Sequence, residues 1–234
     1  MAFDATDPPE KPGGTAPHVI VDEINDPVMC DEDVHHLARV RRLRNGDFVS
    51  ATDGRGSWRW CEFENASLSV IGDISVEPAP SPRLTVGFAL VKGSKPELVV
   101  QKLTELGIDS IIPFIAERSV VRWDDAKAER QGERLVKVAR EASMQSRRVW
   151  LPTVAPVARL SDLISSEGVV RADRDGRALS SGDTTVLIGP EGGWSPAEAD
   201  MTSVVGLGHT VLRAETAAIA AATLMVALRD GFVA

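Results

Sequence analysis

Near the carboxyl end of the sequence, a short apolar run leads directly into the bare stretch Gly-Pro-Glu-Gly-Gly, residues 189–193 (the Gly-rich loop). The run Val186–Ile188 is bounded by glycine, which is typical of a strand buried in a parallel sheet. Ser195 follows with Pro196 next to it and Glu198 three residues later, a pattern that predicts a helix start with a capping box. The loop therefore joins a strand to a helix, and ligands bind at such positions in open α/β sheets.

The residue types of the Gly-rich loop restrict the chemistry of a ligand. Glycine carries no side chain, so a ligand can approach the main-chain amides and carbonyls closely. The loop lacks the Lys-Ser/Thr ending of a P-loop, its glycines do not match G-x-G-x-x-G, and Glu191 would repel a phosphate. A neutral or cationic ligand fits the loop better than a phosphate does. From the loop alone, a tight turn that binds no ligand stays open as the alternative.

The segments around the loop alternate between strand and helix patterns. Strands are predicted at Leu84–Val91, Ser110–Ile115, Val169–Ala172, Val186–Ile188 and Thr210–Leu212. Helices are predicted over residues 95–107, 124–146 and 214–229. Such alternation predicts an α/β fold with a mainly parallel sheet and helices on both faces. Because a strand would end at Leu212, the loops 189–194 and 207–216 are expected to lie side by side.

The amino-terminal part of the chain has a different pattern. Residues 18–77 contain short strand-like runs separated by turn signals, with a short helix over 33–43, and predict a small β-barrel-like domain. The proline-rich stretch 77–83 marks the domain boundary, so the second domain spans 78–234. Residues 1–17 are polar and rich in Pro and Gly, which predicts a flexible tail.

The overall composition argues against several classes of protein. The 234 residues carry a net charge of -8, so the chain is not a generally basic nucleic-acid binder, although a local basic patch can still bind RNA. Cys30 and Cys61 form neither a metal-ligand spacing nor a disulfide framework, and His35 and His36 lack the partners that would complete a metal site. Neither a signal peptide nor a membrane span is indicated, so a cytoplasmic protein without bound metal is expected.

Two stretches taken together resemble the signature of a known enzyme class. "LIGPEGGWSPAE" followed by "LGHTVLRAETAAIAA" resembles the SPOUT class of RNA methyltransferases, and more narrowly the RsmE family, which makes 3-methyluridine in small-subunit (16S) ribosomal RNA. The segments "KGSKPELVVQKLTELGIDSIIPF", "ERSVVRW", "EASMQSRR" and "HHLARVRRLRNGDFV" resemble further family blocks. The chain departs from the family at Trp194, where Phe or a smaller apolar residue is common, and at Met144, where an acid is frequent.

This resemblance implies a fold, a cofactor and an assembly. The fold would be a C-terminal SPOUT α/β trefoil-knot domain with a small N-terminal PUA-like, RNA-binding β-barrel domain. The cofactor would be S-adenosyl-L-methionine (SAM), bent within the knot and held largely by backbone groups. The assembly would be a homodimer with the active site between two subunits, acting on 16S rRNA or on the assembled small ribosomal subunit. The cradle positions that the resemblance assigns to SAM are Ala172, Ile188, Gly189, Glu191, Gly192, Leu207, Gly208, Leu212 and Arg213.

Methyl transfer to the uracil ring nitrogen N3 first requires loss of its proton. Glu215 is the candidate base, and Arg213 is the candidate cation that stabilises the resulting anion. The alternative roles are structural, because Glu215 near a helix N-terminus complements the helix dipole and Arg213 could pair with Glu215 or Glu191.

Basic residues are the candidates for holding RNA through its phosphates, which positions the strand without reading its sequence. The predicted RNA-binding residues are Arg39, Arg41, Arg42, Arg44, Arg118, Arg122, Arg147 and Arg148. A solvated charged face is the alternative for each of them. Trp58 and Trp60 would share one face of a strand, where they could stack on bases or be buried against the sheet.

Two functions from other classes compete with methyl transfer. A non-catalytic RNA-binding protein could keep the same scaffold, but it would not need the Gly-rich loop or the Arg-Ala-Glu-Thr stretch that begins at Arg213. A nucleotide-dependent enzyme could use the loop for phosphate, but the missing lysine argues against that.

Overall fold

The structure, a computed structural model, describes residues 10–93, 95–164, 168–200 and 202–233. The chain divides into two units, one formed by residues up to 79 with 143–151, and the other by 80–142 with 152–234. The first nine residues of the predicted flexible tail, 1–17, lie outside the described part of the chain. Residues 143–151 thus belong to the first unit, although in the sequence they lie far beyond the proline-rich stretch that was predicted to be the domain boundary.

The first unit is built on a five-stranded sheet. Its strands are β1 (His18–Ile20), β2 (Phe48–Thr52), β3 (Ser57–Glu64), β4 (Ser67–Val70) and β5 (Ser75–Val76). β1 pairs parallel with β2, and the remaining pairs, β2 with β3 and β3 with both β4 and β5, are antiparallel. Helix α1 (Asp31–His35) continues as a π-helix, His36–Val40. This helical segment ends earlier than predicted because Arg42 has a positive φ of 56°, which a helix cannot accommodate.

Burial explains the aromatic pattern of strand β3. Trp58 and Trp60 are 4% and 6% exposed, and their rings meet edge to face with centroids 6.0 Å apart. Both pack with Val149, and the indole of Trp150 donates a hydrogen bond to the Glu77 carbonyl at 3.0 Å. Base stacking on this face is therefore excluded, and residues 143–151 complete the first unit's core.

The second unit contains the remaining elements. Its strands are β6 (Thr85–Ala89), β7 (Ser110–Ile115), β8 (Thr153–Val154), β9 (Ala158–Arg159), β10 (Val169–Arg177), β11 (Thr185–Ile188) and β12 (Ser203–Val205). Its helices are α2 (Lys95–Leu106), α3 (Asp125–Ser146, whose last turn belongs to the first unit), α4 (Leu160–Leu163), α5 (Pro196–Ala199) and α6 (Ala214–Arg229).

All strands of this second sheet are parallel, in the order β12-β10-β11-β6-β7-β8, and β9 also pairs with β7. The predicted parallel α/β architecture is confirmed. Helix α6 packs against α2, β6 and β11, and its small side chains Ala218, Ala221 and Ala222 are fully buried in the main core. Across the described residues, no helix has the length and apolar character needed to cross a membrane.

The strand predicted at Thr210–Leu212 is wrong. The strand in this region is β12, where Val205 is fully buried and pairs with β10. Val211, by contrast, is 75% exposed, and Gly208 with φ of 143° bends the chain away before it. The adjacent apolar residues Val211 and Leu212 therefore lie in a loop and not in a strand. This loop runs from Gly206 to Arg213 before α6 begins.

Candidate active site at the carboxyl ends of the parallel strands

Strand register brings the two predicted loops to one edge of the second sheet. Ala172 in β10 lies opposite Ile188 in β11 on one side and opposite Val205 in β12 on the other. Because parallel strands point the same way, the loops that begin at Gly189 and Gly206 leave the sheet at neighbouring positions. We call this the carboxyl edge of the sheet.

The predicted capping box after the Gly-rich loop is present. The Ser195 hydroxyl accepts a hydrogen bond from the Glu198 amide at 3.3 Å, and Glu198 Oε2 accepts one from the Ser195 amide at 2.9 Å. The other carboxylate oxygen of Glu198 accepts a hydrogen bond from the Glu117 amide at 2.7 Å. Glu198 is 7% exposed, so one buried carboxylate fixes the loop end to the segment that follows β7.

Trp194, the residue at which the chain departs from the family pattern, contacts two cradle positions. Its indole Nε1 donates a hydrogen bond to the Ala172 carbonyl at 3.0 Å. A Cβ atom at Gly189 would lie only 2.8 Å from Cε2 of the same indole. The ring also stacks on Phe114, with centroids 6.1 Å apart. A fixed aromatic surface therefore lies against the backbone of β10 and of the Gly-rich loop.

The two loops at the carboxyl edge leave main chain open to a ligand. Gly192, Gly193 and Gly208 are exposed, and, chain neighbours apart, no heavy atom of the described residues lies within 4 Å of the place where a Cβ of Gly193 or Gly208 would be. At Gly192 the nearest atom to that place is the Arg118 carbonyl oxygen, at 3.3 Å. Main-chain groups are thus accessible at Gly192 and Gly208, two of the positions that the family resemblance assigns to the cofactor.

A lysine that the sequence reasoning missed joins the two acidic residues of the site. Nζ of Lys95 lies 3.3 Å from Glu191 Oε1 and 3.4 Å from Glu215 Oε2. The Glu215 side chain is only 14% exposed, and its Oε2 makes no hydrogen bond within the described residues. Lys95 begins α2, just after β6. It reaches the site because β6 lies next to β11 in the sheet, and this strand order could not be predicted from the sequence.

Arg213 occupies the N-cap position of α6 in an extended conformation, with φ of -66° and ψ of 156°. Its side chain is exposed. The ion pairs among the described residues join Glu191 and Glu215 to Lys95, so the suggested pairing of Arg213 with either carboxylate is absent there. The Arg213 guanidinium is accordingly available to a ligand.

The end of β10 crosses the start of the second loop at close range. The Gly206 amide donates a hydrogen bond to the Arg177 carbonyl at 2.8 Å. A Cβ at Gly176 would overlap the carbonyl carbon of Val205 and lie 2.5 Å from the Gly206 nitrogen. Glycine at position 176 is therefore what allows these two backbones to touch.

An ion pair holds the segment between β10 and β11. Nη1 and Nη2 of Arg177 each donate to Asp183 at 2.7 Å, and the Ser180 amide donates to it at 2.8 Å. These hydrogen bonds, that from Arg177 foremost, lower the pKa of Asp183 to about 2. The carboxylate is thus ionised at neutral pH and keeps this connection in one conformation.

The predicted RNA-binding arginines fall in both units. Those in the first unit are Arg39, Arg41, Arg42, Arg44, Arg147 and Arg148, and those in the second are Arg118 and Arg122. Arg147 is engaged by its own unit, because it donates hydrogen bonds to the carbonyls of Gly14 at 2.6 Å and Ala16 at 3.2 Å. Arg118 is exposed, and its Nη1 lies 3.5 Å from the Gly192 carbonyl oxygen, so it borders the Gly-rich loop.

The pKa values of His18 and Cys61 are shifted, but both residues belong to the first unit and not to this site. Burial lowers the pKa of His18 to about 4, but this imidazole lies in the first unit, between Ser50 and the Arg148 carbonyl. Burial also raises the pKa of the Cys61 thiol to about 11, as suits a structural residue. The described part of the chain contains no group of three or more His, Cys, Asp or Glu residues placed to hold a metal ion.

Comparison with known proteins gives the class to which this fold and site belong. Residues 77–226, more than half of the 234 residues, match the family "RNA methyltransferase domain". Residues 30–70 match the family "RNA methyltransferase PUA domain". The chain is thus an RNA methyltransferase with a PUA domain, and the second unit contains most of the methyltransferase match.

Individual relatives define the family more narrowly. Ribosomal RNA small subunit methyltransferase E of Bacillus subtilis (strain 168) is 33% identical over 217 residues, covering 81% of this chain and 85% of the relative. The enzyme of the same name from Mycobacterium bovis is 33% identical over 83% of each chain. A crystal structure of this methyltransferase from Neisseria gonorrhoeae, bound to S-adenosyl methionine, has a TM-score of 0.77 at 25% identity and covers 91% of this chain and 98% of its own. The chain therefore belongs to the ribosomal RNA small subunit methyltransferase E family.

Proposed function

We propose that this chain transfers a methyl group from SAM to the ring nitrogen N3 of a uridine in small-subunit ribosomal RNA. Family membership supports the class of reaction and the rRNA substrate. The observation that carries the finer assignment is a largely buried carboxylate, Glu215, beside the Gly-rich loop. Its Oε2 lies 3.4 Å from Lys95 Nζ in an ion pair but makes no hydrogen bond among the described residues. Such a group can accept the proton that N3 must lose.

The residues at the carboxyl edge fit SAM, which supplies an activated methyl group when bound. Gly192 and Gly208 expose main chain for hydrogen bonds, and Trp194 offers an aromatic surface beside Ala172. Glu191 and Glu215 share a single cation, Lys95, so these groups together keep a net negative charge that suits a sulfonium cation and opposes a phosphate. The related structure from Neisseria gonorrhoeae, which is bound to S-adenosyl methionine, supports the same ligand here. The proposed cradle is the nine positions from Ala172 to Arg213 named from the sequence.

Glu215 and Arg213 have separate roles in the proposed reaction. Glu215 accepts the N3 proton, and Lys95 at 3.4 Å holds its carboxylate in place at the start of α6. Arg213, exposed and available at the helix N-cap, stabilises the negative charge that develops on the uracil ring. Removal of one well-placed general base typically costs a factor of about 10² to 10⁴ in rate.

The proposal extends to the fold and the assembly. A trefoil knot is supported by the chain path, since β12 returns to the far side of β10 before α6 packs on β11, β6 and α2. The sheet of the first unit, with its PUA-domain match, is proposed to close as a barrel that binds RNA. A homodimer in the cytoplasm completes the proposal, and the mass of the native protein in solution tests the dimer.

The decisive experiment identifies the methylated atom. Small ribosomal subunits from a strain lacking this enzyme are incubated with the protein and SAM, and the nucleosides are then separated and identified by mass spectrometry. We expect N3-methyluridine, and we expect Glu215→Gln to slow its formation at least about 100-fold while SAM affinity in calorimetry stays nearly unchanged. Methylation at a carbon or a ribose oxygen would refute the N3 assignment, and an unaltered Glu215→Gln rate would remove Glu215 from the mechanism.

A further inference from the structure

The second unit contains an open groove of about 470 Å³ that is distinct from the Gly-rich loop. The residues on its walls that matter here are Lys92, Glu97, Trp123, Lys127, Gln131 and Arg134. We propose that this groove, called the basic groove below, binds a single-stranded nucleotide of the substrate RNA that flanks the methylated base. The proposal rests on the rRNA methyltransferase activity and names a part of the substrate site outside the cradle.

The charges of the basic groove suit a phosphate. Lys92 and Lys127 are exposed, and no ion pair within the described residues engages either ammonium group. Arg134 differs, because its Nε lies 3.0 Å from Glu97 Oε1 and is already neutralised. Two cations without an ion pair among the described residues line one groove of a chain whose net charge is -8, so the groove is locally more basic than the protein as a whole, which suits an anion.

Trp123 gives the same groove an aromatic wall. The indole is partly buried and packs against the main hydrophobic core, so its position is fixed before any ligand binds. A fixed ring beside lysine ammonium groups is the arrangement with which proteins hold single-stranded nucleic acid, because bases stack on the ring while cations follow the phosphates. The groove volume falls within the range of about 300–1,000 Å³ that is typical of small-ligand sites.

Two chain segments connect the basic groove with the candidate active site. Lys92 lies in the groove and Lys95, three residues later, contacts Glu191 and Glu215. Arg118 borders the Gly-rich loop at Gly192, and Trp123 lies further along the same segment. These segments follow β6 and β7, which are neighbouring parallel strands, so both leave the sheet at its carboxyl edge. A nucleotide in the groove would therefore lie next to the base that reaches Glu215.

Photo-crosslinking of the full chain gives a direct test. The probe is a ten-nucleotide oligouridine with one 4-thiouridine, added in the presence of SAM and irradiated, and the crosslinked peptides are identified by mass spectrometry. We expect crosslinks within residues 120–134. Crosslinks confined to the arginine-rich segment 39–44, or their absence from 120–134, would overturn the proposal and would leave an acidic protein partner as the better occupant of the groove.

Affinities of groove variants for the same oligomer provide the second arm. Trp123→Ala should weaken binding about 5- to 150-fold, the usual effect of losing one base–aromatic stack, whereas Trp123→Phe should retain most of the affinity. Lys127→Ala should reduce the slope of log affinity against log salt by about 0.7, as expected for one lost phosphate contact on a single strand. Lys137→Ala removes an exposed lysine from the same helix outside the groove and should leave the slope unchanged.

Unchanged affinity for the oligomer in both Trp123→Ala and Lys127→Ala would contradict the proposal that the basic groove binds RNA. Thermal melting and SAM calorimetry on each variant separate this outcome from misfolding, and Lys127→Ala keeps the test valid if Trp123→Ala is unstable. A failure of the N3 assignment can be distinguished from a failure of the groove proposal. The methylated atom is identified from the product nucleoside, whereas RNA binding in the groove is measured by crosslinks and by the salt dependence of affinity.

Discussion

Lys95 joins the two acidic residues of the candidate active site. Its Nζ lies between Glu191 and Glu215, one from the Gly-rich loop and one from the start of α6. Both acids belong to the stretches that resemble the family signature, so their residue types could be recognised from the sequence. Their common partner, Lys95, could not be recognised in this way, because the strand order that places it beside them cannot be predicted from any local sequence pattern.

We predict that Lys95→Met lowers kcat/KM for methylation about two- to fivefold. The two carboxylates would lose the cation that aligns them, and a partly exposed ion pair is worth up to about 1 kcal/mol. Lys95→Arg should restore most of the rate. The measurement is steady-state kinetics with small ribosomal subunits as substrate.

A matched control for Lys95 lies on the same helix. Lys102 also forms an ion pair, with Glu105 at 2.7 Å, but it lies about two helical turns beyond Lys95 and its ion pair involves neither Glu191 nor Glu215. Lys102→Met should leave kcat/KM unchanged. Equal effects of the two substitutions, or no effect of Lys95→Met, would show that Lys95 has no positioning role.

Trp194 shows a second limit at the residue scale. The sequence identified it as a departure from the family pattern but could not say what the indole contacts. The ring stacks on Phe114 and binds the Ala172 carbonyl, and both partners come from strands far away in sequence. The cradle assignment itself stays a prediction, although the exposed glycine backbone agrees with the chemistry on which it was based.

At the scale of single elements, the local sequence pattern was sufficient for one strand and one helix of the second unit. The strand Ser110–Ile115 and the helix Ala214–Arg229 begin and end at the predicted residues. Gly107 ends α2 with φ of 100°, as expected for a glycine C-cap. The failure at Thr210–Leu212 has a physical cause: strand identity there depends on pairing with β10, and the pairing partner is Ser203–Val205.

The crossing of β10 with the loop after β12 gives a prediction about an element junction. Gly176→Ala would push a methyl group into the backbone of Val205 and Gly206, so we expect the free energy of unfolding to fall by about 2–3 kcal/mol. The unfolding temperature should drop by several degrees. Thermal unfolding followed by circular dichroism measures this effect.

Gly132 provides the comparison for that substitution. It lies inside α3, and, apart from the backbone of its own helix, no heavy atom of the described residues is within 4 Å of its would-be Cβ. Gly132→Ala should therefore stabilise the protein by roughly 0.5–1 kcal/mol, since alanine favours the helix interior. If Gly176→Ala were as stable as the native protein, the close backbone contact at this junction would be disproved.

At the scale of the whole molecule, the sequence predicted two parts with different architectures but could not assign every segment. The proline-rich stretch was the only compositional marker of a boundary. Residues 143–151 join the first unit through Val149 and Trp150, which a linear reading of the chain cannot detect. As a result, Arg147 and Arg148 belong with the arginines of the first unit, and their role in holding RNA stays a prediction.

The central claim is that SAM binds at the carboxyl edge, between the Gly-rich loop and the loop that follows β12. Hydrogen–deuterium exchange of the full chain, with and without saturating SAM, tests this most directly because it reports on backbone amides. We predict slower exchange with SAM in peptides covering residues 186–194 and 206–214, and unchanged exchange in residues 121–134 of the basic groove. Protection confined to segments outside 186–194 and 206–214 would contradict the account.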